Sequence, residues 1–304
     1  MTEELAVKMK GVVQKRSNFH LGPMDLMIPK GYITAIVGPN GSGKSSTFRL
    51  LLDLVKADEG SIELLGQQVG NGVDIELNKR IGYLPEESWT HEEKMKATEK
   101  AEFQRFWYDN WDVNRYQELL RVLEVDPNQM LGKMSKGSRR KFEFALALAH
   151  GPELLLLDEP SSGLDPLAWK TMIDVLHRYM DRGDRTILMT SHIVEEVKRL
   201  ADYIVFMSQG HVLGMYEKDE LFSSWFIYFL SGDELTAGVA AKMPGQCGVE
   251  HAGGTTYRIT TNQAGQAEQW CSEQGLTLVS RQAMELDEIM AALLMKDRLN
   301  ARSN

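Results

Sequence analysis

Cysteine is scarce: the 304 residues hold two, Cys247 and Cys271, and neither has a second Cys or a His at metal-binding spacing. That argues against a disulfide framework or a zinc site and fits a reducing compartment. Also missing is any apolar run near the ~20 residues needed to span a bilayer. The densest, "WFIYFL" at 225–230, is short and reads as a core strand or helix. The N-terminal "MTEELAVKMK" has no apolar stretch of signal-peptide length, so a soluble polypeptide is expected. A basic excess is lacking too. With 34 Lys+Arg against 43 Asp+Glu the formal charge is −9, a poor balance for a nucleic-acid binder, which needs a basic face for the phosphate backbone. No internal repeat or low-complexity linker is seen. The length is close to the size at which single cores stop growing, so one large domain plus a smaller one is expected.

What is present begins with "YITAIVG", an apolar run that leads into "GPNGSGKSS" and then into Phe48, Leu51, Leu52 and Val55 at helical spacing. Strand, glycine loop and amphipathic helix in that order are the context a phosphate-binding loop requires. The G-x-x-x-x-G-K-S spacing from Gly38 to Ser45 lets backbone N–H groups curl around phosphates while the following helix aims its positive end at them. In this reading Lys44 neutralises the β and γ oxygens, and the Ser45 hydroxyl holds Mg²⁺, a hard cation that prefers oxygen ligands.

Further along, "LLLLDEPSSGLDP" joins four leucines to two carboxylates, and an unalternated apolar run suits a strand buried on both faces of a parallel sheet. Ligands of open α/β sheets sit at the C-terminal edge of the strands, which puts Asp158 within reach of Mg²⁺ through its waters and Glu159 where it can polarise an attacking water. The alternative for such a pair is a helix cap or a turn. "TILMTSH" at 186–192 is a third apolar run with a polar tip, and it places His192 at the same edge, facing the γ-phosphate. The other six histidines, His20, His91, His150, His177, His211 and His251, have no such placement.

The stretch "KMSKGSRRK" at 133–141 carries five basic residues in nine. Taken with the phosphate loop, "LLLLDEP", "SSGLD" and "SH", it resembles the signature region of the nucleotide-binding subunit of an ABC transporter, over roughly residues 5 to 215. The family pattern is Leu-Ser-Gly-Gly-Gln; here "MSKGS" keeps Ser135 and Gly137 and has Lys136 and Ser138 at the other places. The segment would open the helix "RRKFEFALALAH", whose N-terminal amides attract an anion; the resemblance makes that anion the γ-phosphate held by the opposite subunit. Arg139, Arg140 and Lys141 are expected to be solvated. RNA or DNA contact through this run is the competing reading.

The resemblance implies an α/β fold: a P-loop NTPase core of ABC type over 1–216 with a helical subdomain at about 87–150, and a small α+β C-terminal accessory domain over 217–304. It implies ATP and Mg²⁺ as ligands. Gly38, Pro39, Asn40, Gly41, Ser42, Gly43, Lys44, Ser45 and Ser46 would cradle the phosphates, with Ser135, Lys136, Gly137 and Asp165 also at bound nucleotide. Ser45, Asp158 and Glu86 would lie at the metal, and Glu159, His192 and Glu86 at the reacting centre. Glu86 replaces the Gln that usually follows "IGYLP" in the family, and its charge beside a triphosphate bears on turnover. Phe19 is the best candidate to stack on adenine, a core-facing strand position being the alternative.

Aromatic residues from Trp89 to Tyr116 are interleaved with Lys and Glu, which suggests a helical subdomain core, a groove for a partner, or some of each. "YDNWD" followed by "MSKGS" resembles subunits of bacterial ABC-2 type exporters. The implied machine is a pair of ATPase subunits, a homodimer being the simplest, closing head to tail around ATP. It would sit at the cytoplasmic face of the membrane and drive separately encoded transmembrane permease subunits, with no nucleic-acid partner. A soluble ABC-type ATPase acting on the ribosome or nucleic acid is the alternative. A phosphate-loop kinase or GTPase leaves "MSKGS" without a role. Past residue 216 the segments "TTYRITT", "AGQAEQWCSEQG", "LTLVSRQ" and "ELDEIMAALLMK" alternate strand-like and helix-like patterns without a motif.

Overall fold

The computed structural model describes residues 4–16, 19–70, 72, 74–88 and 90–303, which form two compact units, Met1–Val212 and Leu213–Asn304. In the first unit the chain opens with two long antiparallel strands, β1 (Leu5–Arg16) and β2 (Phe19–Pro29). It then enters β3 (Ile33–Val37), buried at every position, and passes through the glycine loop into α1 (Lys44–Leu51). Two short strands, β4 (Glu59–Leu64) and β5 (Gln67–Val69), return to β1 and complete a four-stranded sheet in the order β2-β1-β4-β5. Nothing in the sequence reading placed this second sheet.

The central sheet is built from fragments far apart in the chain. After α2 (Ile75–Lys79) come β6 (Ile81–Leu84), then α3 (Ala97–Arg105), α4 (Val113–Val122) and α5 (Lys136–Ala149), and then β7 (Leu154–Asp158). The chain continues through α6 (Pro166–Met180), β8 (Thr186–Thr190), α7 (Val194–Leu200), β9 (Tyr203–Ser208) and β10 (His211–Glu217). The strand order is β10-β9-β3-β8-β7-β6, and β9, β3, β8, β7 and β6 pair in parallel. Leu154 to Leu157 and Ile187 to Met189 are fully buried, so both faces of these strands are covered, which is why they carry no polar alternation. The parallel arrangement brings the C-terminal tips of β3, β8, β7 and β6 to one edge. Those tips lead into the glycine loop, His192, the Asp158–Glu159 pair and Glu86 respectively.

In the second unit α8 (Lys218–Ser224) precedes β11 (Phe226–Ser231), α9 (Ala237–Ala240), β12 (Gln246–Gly253), β13 (Thr256–Thr261), α10 (Ala264–Glu273), β14 (Thr277–Ala283) and α11 (Leu286–Ser303). The unit is a βαββαβ arrangement on an antiparallel sheet ordered β12-β13-β11-β14. "WFIYFL" is Trp225 followed by the central strand β11. Tyr228 and Leu230 point from it into a core shared with Ala240, Met243, Ile259 and Cys271. No helix among the described residues is long and apolar enough to cross a membrane.

Candidate active site

The loop between β3 and α1 is shaped by close backbone approach. A Cβ at Gly38 would sit 2.2 Å from the Met207 carbonyl oxygen, and Gly43 has φ of 109° with the Phe19, Leu21 and Met207 side chains against it. Gly43 also caps α1 without a side chain, so no side-chain oxygen occupies the first N–H groups of the helix. Lys44 Nζ lies over this loop and donates to the carbonyls of Gly38 at 2.8 Å and Pro39 at 3.4 Å. The hydroxyl of Ser42 is buried and unpartnered. An ammonium, an orphan hydroxyl and uncapped amides converge on a cavity of about 320 Å³, lined by Phe19, Asn40 to Ser46, Glu86 and Glu159. Such a donor set, with Glu86 and Glu159 confined to its far wall, fits phosphate oxygens.

Opposite the loop, Asp158 ends β7. Its Oδ1 accepts hydrogen bonds from Thr190 Oγ1 at 2.6 Å and from Ser45 Oγ at 3.3 Å. Burial raises the pKa of this carboxyl, and the two hydroxyl donors oppose the rise. Among the described residues no cluster of three or more His, Cys, Asp or Glu could hold a metal alone. The Ser45 and Asp158 oxygens are the kind of partial set that suits Mg²⁺, which keeps waters and takes its remaining ligands from phosphate.

Glu159 has φ of 47°, a left-handed conformation unusual for a residue with a side chain. Its N–H donates to Thr190 Oγ1 at 2.9 Å, its carbonyl accepts from Arg140 Nη2 at 2.7 Å, and its carboxylate meets His192 Nδ1 at 2.7 Å. Glu86 lies on the same cavity wall; partial burial, then the charges of Asp158 and Glu159, raise its pKa while Lys44 pulls it down. Phe19 is half-buried at the start of β2 and lines the cradle, its ring tip 3.2 Å from where a Cβ at Gly43 would lie.

The signature segment departs from the sequence reading in its details. The helix α5 starts at Lys136, three residues before "RRKFEF", because the Ser135 hydroxyl caps it by accepting from the Ser138 N–H at 3.1 Å. Lys136 Nζ donates to Ser162 Oγ at 3.1 Å, and a Cβ at Gly137 would meet the Gly163 carbonyl at 3.0 Å. Arg139 and Arg140 are not solvated; both are buried. Arg139 pairs with Glu143 at 2.6 Å and Glu92 at 2.9 Å, while Arg140 donates to main-chain carbonyls. Consecutive helical residues lie 100° apart, so a basic run cannot all face water once one side of the helix packs. Asp165 stands apart from the cradle: its Oδ1 caps α6, accepting from Leu167 and Ala168 N–H at 2.9 Å.

Thr190, which the sequence reading passed over, and Arg140, which it expected to be solvated, contact both carboxylate-bearing positions. The polar tip of "TILMT" is the only local sign of the first, and nothing distinguishes the second from its basic neighbours. Among the aromatics, Trp89 lies outside the described residues. Phe103, Phe106 and Trp107 are exposed, whereas Trp111 is half-buried against Tyr116 and Tyr108 stacks on the buried His150 at 4.1 Å.

Residues 21–162 match the ABC transporter family model. The bacitracin transport ATP-binding protein of Bacillus licheniformis is 32% identical over 192 residues, covering 62% of this chain and 62% of its own length. The chain therefore spans about three fifths of that relative. The lantibiotic transport ATP-binding protein of Streptococcus pyogenes is 30% identical over 227 residues, covering 68% of this chain and 91% of the relative. Among solved structures, an ATP-binding subunit of an ABC transporter has a TM-score of 0.65 at 24% identity, covering 72% of this chain and 92% of that one. A dimeric cassette in a post-hydrolysis state with ADP and Pi has a TM-score of 0.60 at 24% identity, over 69% and 98% of the two chains; these likenesses speak for the shared fold. With the phosphate loop, the paired carboxylates and the signature segment at one strand edge, and with a relative matched over nine tenths of its length, the chain belongs to the family of ABC transporter ATP-binding proteins.

Proposed function

We propose that this chain is the ATP-binding and ATP-hydrolysing motor subunit of an ABC exporter. The observation that carries the reading is the convergence of Lys44, Ser45, Asp158, Glu159 and His192 on one edge of the sheet. Lys44 and the α1 amides bind the β- and γ-phosphates, and Ser45 with Asp158 holds Mg²⁺. When bound there, the metal would neutralise charge on the phosphates. Glu159, kept in place by His192 and Thr190, accepts a proton from the attacking water. Phe19 supports the adenine at the cradle mouth.

A second copy of the subunit supplies Ser135, Lys136 and Gly137 to the γ-phosphate, so ATP closes the pair head to tail and hydrolysis reopens it. In this reading the first unit is the motor and the second an accessory domain. Separate transmembrane subunits take up the motion, and the chain lies at the cytoplasmic face of the membrane through them. The relatives named for bacitracin and lantibiotic transport support export as the direction. Three measurements test the reading: Mg²⁺-dependent phosphate release from ATP by the purified protein, sedimentation of a Glu159→Gln variant with and without ATP, and identification of integral membrane proteins that co-purify with the chain. A protein that binds no ATP, or whose Glu159→Gln variant hydrolyses ATP at the parental rate, would overturn it.

A further inference from the structure

Arg140 is 3% exposed and forms no ion pair among the described residues. Its guanidinium instead donates to five main-chain carbonyls. Nε reaches Pro160 at 3.1 Å, Nη1 reaches Pro85 and, at 3.3 Å, Glu86, and Nη2 reaches Asp158 at 2.5 Å and Glu159 at 2.7 Å. Burying a cation without a carboxylate is costly, and this site meets the cost with a complete set of oriented carbonyl dipoles. The acceptors belong to two segments: the one that leaves β6 with Glu86, and the one that leaves β7 with Asp158 and Glu159. Arg140 itself rides on the second turn of α5, whose first turn is the signature segment.

The point of attachment is unusual. Glu159 occupies a left-handed backbone conformation at φ of 47°, which persists in a side-chain-bearing residue only when its surroundings hold it. Thr190 Oγ1 accepts from the Glu159 N–H and Arg140 donates to the Glu159 carbonyl, so the peptide groups on both sides of its Cα are held. We infer that Arg140 is a positioning residue, whose planar fork fixes the Glu159 peptide so that the carboxylate faces the phosphate cradle, and ties the Glu86 segment and the start of α5 to the same point. The inference rests on the proposed hydrolysis at Glu159. A lysine would keep the charge but offer a single compact donor head in place of the five-donor fork, so it could not hold both segments.

The test is a double-mutant cycle on single-turnover ATP hydrolysis with Mg²⁺. Arg140→Lys is expected to slow hydrolysis roughly 10- to 100-fold, the scale of a small misplacement of a reacting group. The same change made in Glu159→Gln protein should cost less than about twofold, because the group being positioned is already gone. Nucleotide affinity, read separately by titration, should change little. Arg140→Gln, with a shorter head of two N–H donors, is a second variant; it should show the same dependence on Glu159 and keeps the test open if Arg140→Lys does not fold. A loss of equal size in both backgrounds, or no loss in the wild-type background, overturns the inference. Wild-type protein that fails to hydrolyse ATP would instead undo the proposed function, and the same assay separates the two.

Discussion

His192 Nδ1 lies 2.7 Å from a carboxylate oxygen of Glu159, at the tips of the adjacent parallel strands β8 and β7. The imidazole is largely open to solvent while the carboxylate is buried, so the pair spans the boundary between cradle and water. Replacing Glu159 by Gln keeps the size and a hydrogen-bonding head but removes the proton acceptor. Phosphate release should fall roughly 10²- to 10³-fold with nucleotide affinity retained, a cost typical of deleting one preorganised group. An ATP-dependent dimer should accumulate in sedimentation.

Lys44 is held over the loop by two of its own carbonyls, an arrangement that a phosphate would displace. Lys44→Ala deletes the buried cation that faces the β and γ oxygens. Charge-assisted hydrogen bonds are worth about 1.5–3 kcal/mol each, so nucleotide affinity in a direct titration should fall by one to two orders of magnitude. An unchanged dissociation constant would remove the phosphate-binding role.

Gly137 separates two effects of size and charge. Its missing Cβ would lie 3.0 Å from the Gly163 carbonyl, so Gly137→Ala should cost a modest amount of stability and leave some activity. Gly137→Asp adds a negative charge at the N-terminal turn of α5, where the partner's γ-phosphate is proposed to bind. Steady-state hydrolysis should collapse while ATP still binds the single subunit through Lys44. A variant that loses RNA affinity while keeping ATPase activity would return the basic run to the nucleic-acid reading.

His150 predicts a pH dependence of stability. It is buried, stacked on Tyr108, with Nε2 donating to the Ile81 carbonyl at 3.1 Å, and burial lowers its pKa from 6.5 to about 4. Between those values the unfolded chain binds a proton that the folded one refuses, so stability falls as pH drops from about 6.5 towards 4 and is unaffected above that window. The full displacement corresponds to about 3 kcal/mol as an upper figure. Denaturant midpoints measured from pH 7.5 to 4.5 should fall less steeply in His150→Gln than in the wild type; parallel curves would dismiss the effect.

The exposed aromatics give a contrast within one segment. Phe106 is 81% exposed and Trp107 is 53% exposed, so Ala at either position should leave the melting temperature within a few degrees of wild type. If a membrane subunit docks there, co-purification should drop, since truncating a docking aromatic often costs about 2 kcal/mol or more. Trp111→Ala should instead destabilise the isolated subunit, because that ring packs against Tyr116 at 5.4 Å.

The chemistry-bearing strands were legible because a parallel sheet covered on both faces demands unbroken apolar runs, and Leu154 to Leu157 and Ile187 to Met189 supply them. The phosphate loop was legible because its glycines answer to local backbone geometry. Arg140 was not, since its value lies in five carbonyls up to 55 residues away in the chain, and neighbouring Arg139 and Lys141 look alike in one dimension. The β2-β1-β4-β5 sheet and the strand order of the second unit were hidden for the same reason: pairing partners are chosen by the whole fold. Asp165 shows the converse, a motif residue whose carboxylate is already committed to capping a helix.

The place of β3 in the sheet has a consequence for the growing chain on the ribosome. Its neighbours are β8 and β9, with Ile33 beside Ile187 and Val37 beside Phe206. The glycine loop is synthesised ahead of both, so the strand that aims it has no lateral partner until β8, Thr186–Thr190, has emerged. Until then the loop is a segment among segments, and added nucleotide should protect neither it nor its flanks from a protease. Competence to hold a phosphate is acquired near the completion of the first unit, in a single late step.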